Sequence, residues 1–192
     1  MEAAACWGAS PNSLKFAFHP QRTGLFRPIA DVDAMRQLSP VIEEDYLLPR
    51  AADEVDFAPW SAILPATARP LCTNLFGDTF MVDGAGAVHM LERAACSTSQ
   101  IAASESDFWH RLAHDPEGWQ LRPLADECRA AGKVLAQGQC YALTTPPVLG
   151  GTYTLENVWV APWNEWFSFT ADLYQQIKDL SPGATVTLSI VD

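Results

Sequence analysis

Two histidines, His110 and His114, stand four apart in the stretch DFWHRLAH, a spacing that puts both imidazoles on one face of a helix within reach of one metal ion. The glutamate of an HExxH zinc motif is absent, because Arg111 stands in its place. No third ligand falls at a usable spacing. Asp78, in FGDTF, and His89, in AVHML, have the chemistry of a general acid or base. Asp78 follows a glycine, where a turn residue bonding its own backbone is the commoner role. His89 lies in an alternating strand pattern, opposite Val88 and Met90, where an exposed position is the commoner role. The five cysteines (Cys6, Cys72, Cys96, Cys128, Cys140) are scattered, with no CxxC pair. They read as free thiols of a reducing compartment, and no signature of a Cys–His nucleophile surrounds any of them. GxGxxG, the P-loop, GxSxG and the EF-hand loop are all missing. The expectation is a protein that is not an enzyme, with no catalytic residue, no cofactor and no metal.

Residues suited to binding are more prominent. The net charge is −11 over 192 residues. Residues 40–192 hold 8 basic and 20 acidic side chains, a net of −12, whereas residues 1–39 are close to neutral. Such a surface repels nucleic acid and anionic membranes and attracts a basic partner. Two acidic clusters, Glu43, Glu44 and Asp45, then Asp53, Glu54 and Asp56, could dock such a partner, although a solvated face is the commoner role of such runs. Tryptophan is abundant, with 7 copies. In PWNEWF, Trp163 and Trp166 flank Glu165, and Asp172 lies further along. Aromatic anchors ringed by charge are the usual makings of a tight interface, and the competing role for both rings is core filling. Trp163, Glu165, Trp166, Asp172 and the two acidic clusters are therefore the candidate partner-binding residues.

The elements that position these residues follow from periodicity. Residues 71–76, 79–83 and 87–91 read as strands, with turns at Gly77-Asp78 and at Asp83-Gly84 to Gly86, and a further strand covers 98–102. Ser104, with Asp107 three residues on, caps a helix running to about residue 115. Pro123 enters a second helix that buries Leu124, Cys128 and Ala131 and ends at Gly132. Residues 139–144 form a strand. Pro146-Pro147 then predicts a stiff, extended approach to a tight turn at Gly150-Gly151. The β-formers of 158–167 predict a strand, and Leu173, Ile177 and Leu180 an amphipathic helix over 169–180, stopped by Ser181-Pro182-Gly183. Residues 184–191 alternate as a last edge strand. The order predicts an α+β fold, a mainly antiparallel sheet with about three helices, in one domain (40–192) preceded by an N-terminal arm (1–39). Met35 is an alternative start.

The segment PPVLGGTYTLENV (146–158), followed by QQIKDLSPG, resembles the C-terminal domain of type VI secretion immunity proteins of the Tdi type. Residues 75–91 (LFGDTFMVDGAGAVHML) and 131–143 (AGKVLAQGQCYAL) resemble the same family, in the same order. The resemblance implies a protein that binds and neutralises a cognate secreted toxin, a type VI nuclease effector. The basic partner is expected from the charge, with neither nucleic acid nor membrane. The DNase-immunity members join this domain to an N-terminal GAD-like domain, for which residues 1–39 are too short, so the toxin type stays open. A regulatory or scaffold protein of the same fold, or a small hydrolase-type enzyme using Asp78, His89 or the histidine pair, are the alternatives. The opening residues MEAAACWGAS lack the basic and apolar regions of a secretory leader, and a cytoplasmic location is expected.

Overall fold

The computed structural model describes residues 13–17, 46–48, 56–181 and 183–191. In chain order they form β1 (Ser13–Ala17), β2 (Arg69–Thr73), β3 (Thr79–Val82), β4 (Val88–Glu92), β5 (Ser97–Ala102), α1 (Glu105–His114), α2 (Arg122–Ala130), β6 (Gln139–Leu143), β7 (Val158–Pro162), α3 (Trp163–Ile177) and β8 (Thr187–Val191). The fold is α+β. Strands β2 to β5 make a four-stranded antiparallel meander, β6 and β7 an antiparallel pair, and β1 pairs in parallel with β8.

Period-two alternation decides the meander. Phe80, Val82, Val88 and Met90 share a face, and α1 lays Phe108 and Leu112 on it, with Trp119 beside them. Met81, on the other face, is buried as well, so β3 is covered on both sides. Ser104 caps α1 as its sequence predicts, its hydroxyl accepting from the Asp107 N–H at 3.2 Å. The β6–β7 pair joins the meander through the Tyr141 N–H, which donates to the Leu75 carbonyl at 2.8 Å. Leu124, Ala125 and Cys128 of α2, together with Trp166 and Phe167 of α3, complete that core.

Four expectations are corrected. The first strand of the meander runs Arg69–Thr73, not 71–76; Asn74 to Asp78 instead form a tight turn closed by Asn74 N–H to Asp78 O at 2.9 Å. The strand expected over 158–167 stops at Pro162, and α3 begins at Trp163 rather than at 169. Pro162 has no N–H for the ladder, and its φ of −56° suits the approach to a helix. The buried positions Trp166, Phe167, Thr170, Ala171, Leu173 and Tyr174 then follow the helical period. Pro147–Leu149 form a 3-10 turn, not an extended run. His89 is not exposed: its Nε2 lies 2.9 Å from Asp83 Oδ2, and its side chain is mostly covered. Part of the expected N-terminal arm is strand β1, paired with the last strand of the chain.

The free edge of β7 is blunted. In the antiparallel register Trp159 and Ala161 turn their backbone groups toward β6, so Val158 and Val160 present theirs outward. Lys133 Nζ donates to the carbonyls of Leu155 (2.9 Å) and Val158, and Pro162 has no N–H to offer. A lysine and a proline on an edge strand discourage unwanted strand pairing.

Candidate functional site

The groups with reactive chemistry are used inside the fold. Asp78 is only 2% exposed. Its Oδ1 accepts the Arg93 N–H at 3.0 Å, and its Oδ2 accepts from Asn74 Nδ2 at 3.2 Å. Burial pushes its carboxyl up to about 7, against the pull of Asn74 and Arg93. Asn74 in turn donates to the Trp119 carbonyl at 2.9 Å, tying the turn to the segment after α1. Arg93 is 0% exposed, with its guanidinium 4.2 Å from the Phe167 ring centroid and 5.3 Å from that of Phe57. Burial lowers it to about 10, although Asp78 opposes this. Among the described residues its three guanidinium nitrogens have no hydrogen-bond acceptor, and the rings of Phe57, Trp60 and Phe167 surround it.

His110 and His114 are exposed on α1 with ring centroids 6.0 Å apart, and no cluster of three or more metal-ligating side chains occurs among the described residues. Cys72, Cys96, Cys128 and Cys140 are free thiols. Burial pushes all four upward, Cys96 to about 12, which keeps them protonated rather than nucleophilic. No helix among the described residues is long and apolar enough to cross a membrane.

The two tryptophans of PWNEWF part company. Trp166 is 3% exposed, its Nε1 donates to the Phe76 carbonyl at 3.0 Å, and its ring stacks on Phe169. It is a core residue and can meet a partner only if the core opens. Trp163 is half-buried, edge-on to Phe167 at 5.3 Å and lying over Gly138. Glu165 and Asp172 are exposed on the outer face of α3. Asp56 is exposed, and its Oδ1 accepts the Ala58 N–H at 2.8 Å. Glu43, Glu44, Asp45, Asp53 and Glu54 lie outside the described residues.

The sequence reading passed over Trp159. It is 44% exposed on β7, the most exposed aromatic side chain among the described residues. The signal was available: in VWVAP, Trp159 is out of phase with Val158 and Val160, which pack into the core.

Electrostatically, the cations between residues 56 and 181 are committed. Arg69 pairs with Glu105 at 3.2 Å, Arg111 with Glu117 and Asp107, Arg129 with Asp126 at 3.0 Å and Lys178 with Asp179 at 2.7 Å. Arg122 donates to Gln120 and to the Leu112 carbonyl, Lys133 holds backbone carbonyls, and Arg93 is buried. Glu127, Glu156, Glu165 and Asp172 have no ion-pair partner among the described residues. What this surface offers a partner is carboxylate.

Residues 104–174 match the model of the family described as T6SS immunity protein Tdi1, C-terminal, the family that the sequence resembles. The match takes in α1, α2, the β6–β7 pair and most of α3, and the segment 75–91 lies before it. Among solved structures, "Crystal structure of Atu4351 from Agrobacterium tumefaciens" is similar over 69% of this chain and 65% of that one, at 15% identity and a TM-score of 0.44. This chain thus spans less than two thirds of that protein. No curated protein matches the chain.

Proposed function

We propose that this protein is a type VI secretion immunity protein that binds a cognate toxin in the cytoplasm, stoichiometrically and without chemistry of its own, and that the toxin is a nuclease. The family match over residues 104–174 carries this reading. The charge supports the kind of partner. A nuclease is basic where it holds its substrate, and an acidic surface whose cations are already engaged complements such a face. The solvent face of α3, with Glu165, Asp172 and the half-buried Trp163, is the proposed contact on the helix, with the acidic residues Glu43, Glu44, Asp45, Asp53, Glu54 and Asp56 as a second acidic contribution.

The experiment is co-expression with each neighbouring gene product that arrests growth when expressed alone. Growth should recover only when the immunity protein is at least equimolar, and the two chains should co-elute as one complex. Rescue at far lower stoichiometry would mean catalysis, and no rescue with any neighbouring gene product would end the reading.

A further inference from the structure

Residues 57–64 form a strap that lies against α3. Its backbone hydrogen bonds are internal: Trp60 N–H to Phe57 O at 3.0 Å, Ser61 N–H to Ala58 O at 3.1 Å, and Ile63 and Leu64 N–H to Trp60 O at 3.0 and 3.1 Å. Among the described residues no backbone–backbone bond ties it to a strand or a helix, so side chains hold it. Trp60 is 0% exposed and stacks on Tyr174, with ring centroids 4.8 Å apart. Leu91 and Ala171 complete the buried cluster around that pair. Gln175 Nε2 donates to the Pro59 carbonyl. Beyond the strap the chain is pinned at Thr67, whose hydroxyl accepts the Gly84 N–H at 2.9 Å.

Arg93 lies under the strap, with all three guanidinium nitrogens buried and without an acceptor among the described residues. Asp78 takes the backbone N–H of Arg93, not its side chain. The indole N–H of Trp60 is buried and unpaired as well. The strap offers the guanidinium two rings, Phe57 at 5.3 Å and Trp60 at 5.7 Å, both near the outer limit of about 6 Å for a cation–π contact. The nearest ring, Phe167 at 4.2 Å, belongs to α3 and to the main core. Seating the strap therefore strips water from every guanidinium N–H and from the indole N–H, and returns two long contacts. Hydrogen bonds to a charged donor outweigh contacts at that range. Burial of the Trp60 ring holds the strap down, and the unpaired donors push it up.

We infer that residues 57–64 lift as one unit while the rest of the fold stays intact, and that lifting presents the Arg93 guanidinium to solvent beside Phe167. Segments with side-chain anchorage alone and opposed terms of this kind open below the global free energy of unfolding. The open state adds a cation to a surface whose other cations between residues 56 and 181 are engaged. The device rests on packing and stands or falls independently of the immunity reading.

Two readouts on the full-length protein follow the opening. Hydrogen exchange of the Trp60 indole is compared with that of the Trp166 indole, which is 3% exposed and bonded to the Phe76 carbonyl. Phenylglyoxal, which attacks guanidinium groups, is followed at Arg93 by peptide mass. The Trp60 indole should be protected about 100-fold less than the Trp166 indole, and Arg93 should react with the Trp60 opening constant within about threefold. Equal protection of the two indoles, or an Arg93 as protected as Trp166, would mean that the strap opens only with global unfolding and would overturn the inference. Arg93→Met tests the cause, since it keeps an apolar stem and removes the buried charge. Exchange of the Trp60 indole should slow about 10-fold or more in this variant. Faster exchange, or a rate within about twofold of the parent, would show that the guanidinium does not drive the opening, and the inference fails. If the variant does not fold, the two readouts on the parent decide alone.

Discussion

Replacing Asp78 by asparagine should flatten the dependence of folding stability on pH. The carboxyl is buried beneath the turn, with Arg93 N–H on one oxygen and Asn74 Nδ2 on the other. Burial raises it to about 7, whereas in the unfolded chain an aspartate titrates near ~3.9. The folded protein therefore holds this proton more tightly than the unfolded chain does. The stability gained in this way is complete below the unfolded value and drains away as pH rises through the folded one, between about pH 4 and pH 7. Three units correspond to an upper limit of about 4 kcal/mol. The Asp78→Asn variant keeps the shape but turns one acceptor into a donor, facing Asn74 Nδ2. It should cost about 1–3 kcal/mol at pH 5 for the lost acceptor. Above pH 7 the gap should close or reverse, because the variant has no buried charge to form. Urea denaturation of both proteins at half-unit steps from pH 4.5 to 8.5 reads this directly. Every other titratable group is common to both proteins and cancels in the difference. Parallel stability profiles for the parent and the variant would refute the assignment of a protonated Asp78.

Further outcomes follow from packing and charge. Trp166→Ala should cost about 3–5 kcal/mol in denaturant unfolding, since it empties a buried site and orphans the Phe76 carbonyl, while the half-buried Trp163→Ala should cost clearly less; equal costs would contradict their different burial. Gly151→Ala should destabilise by about 2 kcal/mol or more, because its Cβ meets the Thr145 carbonyl, whereas Gly150→Ala, at φ +88° with open space around it, should lose only ~1 kcal/mol. Melting the two variants side by side checks the order, and a more damaging Gly150 change would show that φ rather than contact governs the loop. Reversing Glu165 and Asp172 to lysine together should slow association with a basic toxin most at low salt and little near 1 M, where the screening length is about 3 Å. A salt-independent loss in stopped-flow association would point to damage rather than steering.

How much of this was legible in the sequence depended on whether a signal was local. Ser104 with Asp107 located α1, and Asp83-Gly84 to Gly86 located the β3–β4 turn, because caps and turns are set by residues a few positions apart. The carboxyl of Asp78 receiving the Arg93 N–H, and β1 pairing with β8, join residues far apart in the chain, and no local pattern encodes either. The segment 158–167 shows a subtler failure. Whether an indole points inward depends on the phase of its element, and the phase changes where the element changes. Treating 158–167 as one strand imposes period two across Pro162. The real chain keeps period two only to Pro162, which leaves Trp159 outside, and then adopts the helical period, which turns Trp166 and Phe167 inward. Period two carried on to 167 also puts Trp166 in phase with Val158 and Val160, and Trp159 out of phase, so the misplaced boundary changes the face of Phe167 and of neither of these indoles. The proline that marks the true boundary was visible, but the β-forming aromatics around it outweighed it. Pro162 ends the ladder and begins the helix, and the helical period that follows it is what turns Phe167 into the core beside Trp166.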